Sequence, residues 1–211
     1  YIADKGDLSA KVPKGRLFAL VEIVNQPADS PQLTQQLLAI FRKAYQSTHG
    51  SITTSLRSAF HAANQFLLDH NLKAPYEQQL DGGACCVVLK GEEAFVARSG
   101  PSAVYHVRGQ DWERFPSSYD EQPAGVPLGL RKEPEFALHH LEVEAGDFLV
   151  LLDSHGAAAL QQIDLSGPTD AAVTAALRSA GRASNYRTVV VELEPEGAAS
   201  RVAPAPAPQR R

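Results

Sequence analysis

Three consecutive residues, Asp153, Ser154 and His155, carry the side chains of an orienting acid, a nucleophile and a base. A catalytic triad requires the carboxylate, the imidazole and the serine hydroxyl to lie in one hydrogen-bonded row. These residues directly follow an apolar run, and consecutive side chains on an extended segment point to opposite faces. The sequence therefore predicts that they do not form a triad among themselves.

Metal binding is the second kind of chemistry that the residue types allow. The histidines at His139, His140 and His155 lack the i, i+4 helical spacing that places two imidazoles on one ion, so we interpret them as strand and loop residues. Glu22 lies near the end of an apolar segment and has two interpretations. It is either a metal ligand or a partly exposed strand-end residue paired with a nearby arginine.

The elements that must position these side chains are read from the periodicity of apolar residues. Residues 16–24 form an apolar run typical of a buried strand. Helical spacing follows from Leu33 to Tyr45 and from Ile52 to Leu67. The pattern then predicts short strands over residues 84–89, 94–98, 103–107, 112–115, 136–143, 148–152 and 187–193.

The connections between these elements set the fold class. Glycines at positions 91 and 109 predict tight turns, and the sequence around Gly146 predicts a hairpin between residues 136–143 and 148–152. A further helix is expected over residues 169–180, and a surface loop over residues 116–134. Helices segregated from antiparallel strands indicate an α+β domain.

Composition limits the possible functions and domain organisation. The chain has 211 residues and a net charge of −4, and its basic residues are scattered, which argues against a nucleic-acid surface. No apolar run approaches the about 18 residues that span a membrane, so no membrane contact is expected. Cys85 and Cys86 are adjacent, so a disulfide between them would be strained. We interpret them as buried thiols of a reducing compartment, which favours a cytoplasmic location.

Two parts of the chain differ in composition. Residues 1–195 are expected to form one domain, and residues 196–211 an extended linker or tail rich in alanine and proline. The chain has no methionine, and we expect flanking domains in a longer parent protein.

Several segments resemble, in the same order, the PPM-type (type 2C) serine/threonine phosphatases. They are residues 17–21 (LFALV), Ala63-Asn64, residues 100–105 (GPSAVY), residues 146–156 (GDFLVLLDSHG) and residues 185–188 (NYRT). The resemblance covers residues 15–193. It implies a four-layer α-β-β-α sandwich of two antiparallel sheets flanked by helices. In that arrangement we expect the following side chains to be buried between and beneath the sheets: Phe18, Leu20, Val87, Phe95, Val104, Leu149, Leu151 and Val190.

The family holds two divalent ions on acidic side chains at strand ends, and this chain differs at those positions. The resemblance places Glu22 at the first acid, Ile23 at the following glycine, Pro101 at the second acid, His155 or Ser154 at the third, and Asn185 at the last. Asp153 is acidic but stands out of register with the motif. The chain is thus a degenerate member of the pattern.

The expected function follows from electrostatics. Two nearby Mg²⁺ or Mn²⁺ ions require several anionic ligands, and the water between them becomes a nucleophile only when the ions lower its pKa. We expect no catalytic residue, no cofactor and no bound metal, with Glu22 as the remaining candidate ligand. The prediction is a pseudophosphatase that serves a larger protein as a protein-interaction or regulatory module. The alternatives are a weakly active Mn- or Mg-dependent phosphatase and a purely structural domain.

Overall fold

The computed structural model describes residues 14–25, 31–116, 125–160, 174–175, 177–179 and 186–194. Asn185 and most of the predicted helix over residues 169–180 lie outside this part of the chain, although residues 174, 175 and 177–179 are helical. The named elements, in chain order, are β1 (Arg16–Ile23), α1 (Pro31–Ser47), α2 (Ile52–Asn71), a 3₁₀ turn (Tyr76–Gln78), β2 (Gly82–Lys90), β3 (Glu93–Ser99), β4 (Ala103–Arg108), β5 (Asp111–Phe115), β6 (Ala137–Glu142), β7 (Phe148–Leu152), α3 (Ser154–Leu160) and β8 (Thr188–Glu192).

The strands form two four-stranded sheets. Their order is β1-β2-β3-β6 in the first and β5-β4-β7-β8 in the second, and every neighbouring pair is antiparallel. The predicted turns at Gly91 and Gly109 are confirmed, because each has a positive φ and joins two paired strands. The α+β class predicted from the sequence is therefore confirmed.

The predicted hairpin around Gly146 is wrong. β6 pairs with β3 in the first sheet, and β7 pairs with β4 in the second. β7 is buried along its whole length, whereas β6 is a half-exposed edge strand. Two consecutive strands with a turn between them look the same in sequence whether they pair or cross between sheets. The partner is decided by long-range packing that local periodicity does not report.

The helices α1 and α2 lie side by side on the outer face of the first sheet, as predicted. Ser51 begins α2, because its hydroxyl accepts a hydrogen bond from the Thr54 amide at 3.1 Å. Phe41 and Phe60 are fully buried and meet edge to face, with their ring centroids 5.1 Å apart. Their burial joins both helices to the sheet through one apolar cluster.

Of the eight side chains expected between and beneath the sheets, five are buried, Phe18 and Phe95 are partly buried, and Val190 is exposed. Leu20, Val87, Val104, Leu149 and Leu151 are buried in the cluster between the two sheets, Phe18 packs against it, and Phe95 packs on the helix side of the first sheet. Val190 is 41% exposed, so its predicted burial is wrong. In a strand a shift of one residue exchanges the faces, and Val189 and Val191 occupy the buried positions instead.

The fourth layer begins with α3, which the sequence analysis missed. Ala157 and Leu160 of α3 pack on the outer face of the second sheet, against residues that include Tyr105 and Leu152. The molecule therefore has helices, sheet, sheet and helix in succession, which confirms the predicted α-β-β-α sandwich. No helix in the described ranges is both long and apolar enough to cross a membrane.

Part of the segment predicted as a surface loop, residues 116–134, packs against the first sheet. Residues 125–134 are described, and Leu128 among them is 1% exposed. Its amide donates to the Gly82 carbonyl at 2.8 Å and its carbonyl accepts from the Gly82 amide at 3.0 Å. Asn64 of α2 accepts from the Gly129 amide at 2.9 Å. These contacts make part of the segment a packed extension of the first sheet.

Candidate functional site

Glu22 lies at one end of the sandwich, next to the last residue of β1. Its register partner is Gly83 of β2, and a Cβ added to Gly83 would stand 2.7 Å from Glu22 Oε1. The missing side chain lets the glutamate fold across the neighbouring strand toward the second sheet. Glu22 is 4% exposed. The interpretation of Glu22 as a partly exposed residue paired with an arginine is therefore wrong.

Asp153 lies opposite Glu22, between β7 and α3. Its Oδ1 accepts a hydrogen bond from the Gly156 amide at 2.9 Å, and its carbonyl accepts from the Ala157 amide at 2.8 Å, so it is the N-cap of α3. Its Oδ2 accepts from the Arg187 amide at 2.7 Å, which ties the start of β8 to the same carboxylate. The segment is therefore the beginning of a helix rather than the extended segment expected from the sequence.

Glycine is required at position 156 for a similar reason of space. A Cβ there would lie 2.9 Å from a ring carbon of Tyr186 and 3.0 Å from the side chain of Leu152. The short α3 thus packs closely against β7 and the segment that leads into β8. This packing holds the Asp153 carboxylate, which is 4% exposed, in a fixed place.

Ser154 connects the two acidic residues. Its amide donates to Glu22 Oε1 at 2.9 Å, and its hydroxyl donates to Glu22 Oε2 at 2.7 Å. Burial raises the pKa of Glu22, the hydrogen bond from the Ser154 hydroxyl lowers it, and the nearby carboxylate of Asp153 raises it further, with a net rise. The end of β1 is thereby joined to the start of α3, across the two sheets.

His155 completes the cluster on its solvent side. Its side chain is exposed, and its Nδ1 lies 3.5 Å from Ser154 Oγ, which is already directed at Glu22. One ligand atom each from Glu22, Asp153 and His155 lie within 4.8 Å of one another. In the described part of the chain, this is the one group of three or more His, Cys, Asp or Glu residues arranged to hold an ion.

The other positions that the sequence analysis singled out lie elsewhere. Ile23 is 8% exposed and belongs to the apolar cluster beneath the helices. Pro101 lies in the turn between β3 and β4, which Arg98 fixes by donating to the Gly100 carbonyl at 2.8 Å. Asn185 is outside the described residues. His139 and His140 lie on β6, where His140 stacks on Phe95 and the ring of His139 is tilted against that of Phe115.

Sequence reasoning treated Asp153 as out of register and so missed its place beside Glu22. A signal for it was present, because an acid three residues before Gly156 at the end of an apolar run is typical of a helix N-cap. The closeness of Asp153 to Glu22 could not be predicted from local patterns, because Asp153 lies 131 positions after Glu22 in the sequence.

A second polar cluster was also missed, at the connection between β6 and β7. Asp147 is 1% exposed and accepts hydrogen bonds from His106 Nε2 at 2.9 Å, from Arg108 Nη2 at 2.8 Å and from the Glu144 amide at 2.9 Å. Burial raises the pKa of Asp147, but the hydrogen bonds from Arg108, Glu144 and His106 outweigh it, and the pKa is lowered overall. With its lone pairs engaged, Asp147 serves to fix the connection rather than to bind a ligand.

Comparisons with known proteins identify the fold. Neither a protein-family model nor a curated protein sequence matches the chain. Among solved structures, PppA, a key regulatory component of T6SS in Pseudomonas aeruginosa, matches with a TM-score of 0.57 and 18% identity over 82% of this chain and 84% of that chain. The Mycobacterium tuberculosis serine/threonine phosphatase PstP/Ppp matches with a TM-score of 0.59 and 19% identity over 85% and 88%.

The S. agalactiae serine/threonine phosphatase is similar as well, with a TM-score of 0.66 and 13% identity over 85% of this chain and 87% of that chain. Identities this low establish a common fold and not a common activity. The sheet order, the layered helices and these structural matches show that the chain has the fold of the PPM-type serine/threonine phosphatases.

Proposed function

We propose that this chain is a degenerate PPM-type phosphatase domain that does not catalyse dephosphorylation. In this proposal it is a pseudophosphatase that acts in signalling as a protein-interaction or regulatory module of a larger protein. The observation that carries the proposal is that, among the described residues, the cluster that could hold an ion has only two carboxylates, Glu22 and Asp153, too few for two divalent ions. Every oxygen of Glu22 and Asp153 already accepts a hydrogen bond from the protein itself.

A two-ion hydrolytic centre asks for more than this cluster provides. Mg²⁺ and Mn²⁺ bind oxygen ligands, and a pair of them needs enough negative charge to offset their mutual repulsion. Two carboxylates and one imidazole supply at most two negative charges. Ile23 is buried among apolar residues and Pro101 carries no ligand atom in its side chain, so neither position adds to the charge.

The regulatory part of the proposal rests on two facts together: the chain keeps the phosphatase fold, and the cluster in its described part has too few carboxylates to hold two divalent ions. In the space around Glu22, Asp153 and His155, here called the cleft, Ser154 donates two hydrogen bonds to Glu22 and Asp153 caps α3, so the protein itself joins the two sheets there. PppA is a key regulatory component of T6SS, so this fold occurs in a regulatory protein. By analogy, we assign this domain a protein partner, whose identity is open, and no nucleic acid.

A cytoplasmic location is part of the same proposal. Its support is that Cys85 and Cys86 are both buried and free. Burial raises the pKa of Cys85 to about 12, and free thiols of this kind suit a reducing compartment.

The test is a phosphatase assay on an aryl phosphate and on phosphoserine and phosphothreonine peptides, with and without millimolar Mn²⁺ or Mg²⁺. We expect turnover at the background rate in every condition. Glu22→Ala serves as the matched variant. If the wild-type chain turns over substrate in Mn²⁺ and Glu22→Ala does not, the proposal is wrong.

That result would support the second candidate function, a weakly active phosphatase that uses one Mn²⁺ or Mg²⁺ ion. The observation in its favour is the cluster of Glu22, Asp153 and His155, whose ligand atoms lie within 4.8 Å of one another. A single ion could lower the pKa of one bound water. The same assay separates the two candidates, because only the second predicts metal-dependent turnover that Glu22→Ala abolishes.

A further inference from the structure

The fold implies a pair of hard divalent ions, but the ligand atoms in the cleft do not fit that pair. Hard ions such as Mg²⁺ and Mn²⁺ favour carboxylate, carbonyl and water oxygens. Here one of three ligand groups is the imidazole of His155, and only Glu22 and Asp153 are carboxylates. An imidazole is a ligand that Zn²⁺, Cu²⁺ and Ni²⁺ favour, so the cleft offers a different chemistry from the one that the fold implies.

We propose that Glu22, Asp153 and His155 form a site for one transition-metal ion of the zinc class. Donor atoms around a tetrahedral zinc ion, with metal–ligand distances of about 2.0–2.2 Å, lie about 3.3–3.6 Å apart. The three candidate atoms lie within 4.8 Å of one another, so a movement of about 1 Å closes the set. His155 is exposed at the start of α3, and its side chain is the one free to rotate inward.

The charge balance of the cleft favours a cation. Glu22 and Asp153 are each 4% exposed, and within the described residues neither forms an ion pair with lysine or arginine. The hydrogen bonds satisfy the carboxylate oxygens but carry no compensating charge, so the pair keeps a negative charge that a bound cation would offset.

The hydrogen bonds already present do not prevent binding of one ion. Each carboxylate oxygen has two lone pairs, and the structure uses one of them on each oxygen of Glu22 and Asp153. The amides of Ser154, Gly156 and Arg187 would then orient the carboxylates as supporting groups around the ligands. Three protein ligands leave a fourth position open on the solvent side, next to His155.

Calorimetric titration of the purified chain with Zn²⁺ tests this site, with Mg²⁺ and Mn²⁺ titrated in parallel. We expect one equivalent of Zn²⁺ to bind, with an affinity at least about tenfold above that for Mg²⁺ or Mn²⁺. His155→Ala should weaken Zn²⁺ binding at least about tenfold, because it removes the ligand that selects the ion. Glu22→Gln should weaken it as well, since it replaces a charged ligand by a neutral one of the same shape.

His140→Ala is the matched control. His140 is also an exposed histidine beside a carboxylate, with its Nε2 3.1 Å from Glu93 Oε1, but it lies on β6 and outside the cluster. Zn²⁺ binding should be unchanged in this variant. If His155→Ala and the wild-type chain bind Zn²⁺ equally, or if Mn²⁺ binds as tightly as Zn²⁺, the site does not exist as proposed.

This inference does not depend on the absence of catalysis. Binding of Zn²⁺ without turnover agrees with both proposals. Turnover in Zn²⁺ would overturn the proposed pseudophosphatase and leave the metal site standing, whereas failure to bind Zn²⁺ would overturn the site alone.

Discussion

At the scale of single residues, the cleft shows how a site can keep an acid for reasons of structure. Asp153 caps α3 through the Gly156 amide and holds β8 through the Arg187 amide. If the carboxylate were absent, the buried Gly156 amide and the part-buried Arg187 amide would both lose their acceptor. Glu22 has a similar role, since it accepts both donors of Ser154 and so links the two sheets. The presence of acids in this cleft is therefore compatible with a non-catalytic domain.

This structural role predicts the effect of Asp153→Ala. The variant removes a helix cap, worth about 1 kcal/mol, and leaves the Arg187 amide unsatisfied, which costs about 1–3 kcal/mol. We expect the free energy of unfolding, measured by urea denaturation, to fall by about 2–4 kcal/mol. Asp69→Ala, at an exposed aspartate of α2, is the control and should change it by less than about 0.5 kcal/mol. An equal effect of the two variants would show that Asp153 does not cap α3.

At the scale of elements, local patterns predicted each strand that pairs with its neighbour in sequence through a tight turn. The hairpins at Gly91 and Gly109 and the two long helices belong to this class. The same patterns predicted the strands β6 and β7 but wrongly paired them with each other, although they lie in different sheets. They also missed the seven-residue helix α3. The missing information was tertiary, because the partner of an edge strand and the packing of a short helix depend on residues far away in the chain.

For the candidate site as well, the sequence predicted local features and not those that depend on tertiary contacts. The position of Glu22 near the end of β1 could be predicted, because the apolar run over residues 16–24 stops at Asn25. The burial of Glu22 could not, because it depends on Gly83 leaving space and on Ser154 supplying two donors. Gly83 lies beside Glu22 because β1 pairs with β2, and Ser154 lies beside Glu22 because the two sheets pack together.

The connection between β6 and β7 carries a prediction of its own. In Asp147→Ala, Arg108, His106 and the Glu144 amide lose their shared acceptor. We expect a loss of about 2–4 kcal/mol at pH 7, below the value for a fully buried pair because the Arg108 side chain is 41% exposed. Glu144→Ala is the matched control, because it removes the exposed partner of the same arginine and should cost under about 1 kcal/mol.

The pH dependence of this loss has a definite sign. The pKa of Asp147 is lowered in the folded state from its ordinary value of 3.8, so the folded state holds the carboxylate charged more strongly than the unfolded state does. Its contribution to stability is present above about pH 4 and disappears as the pH falls through the folded-state pKa. Denaturation curves at pH 7 and pH 3 should therefore show a smaller difference between wild type and Asp147→Ala at the lower pH. A difference that grows on acidification would contradict this role.

At the scale of the whole molecule, the cleft connects the two halves of the sandwich. Glu22 belongs to the first sheet, and Asp153, Ser154 and His155 follow the last buried strand of the second. In a metal-dependent member of this fold, such residues repel one another when the ions are removed, because several carboxylates face one another. In this chain, hydrogen bonds from Ser154 and from the backbone amides take up the carboxylate oxygens. The sandwich should then be stable in the absence of the ions that the fold implies.

Thermal unfolding in EDTA and in millimolar Mn²⁺ measures this independence. A ligand stabilises only a folded state that binds it, so a chain without a Mn²⁺ site should melt at the same temperature in both conditions. For a domain of this size, a rise in Tm of more than about 4 °C corresponds to about 1–2 kcal/mol of binding energy. Such a rise in Mn²⁺ would mean that a hard-ion site persists around Glu22 and would count against the metal-independent regulatory domain. Repeating the melt with Glu22→Gln would locate the effect, because a shift that survives this substitution would have to come from Mn²⁺ bound elsewhere on the chain.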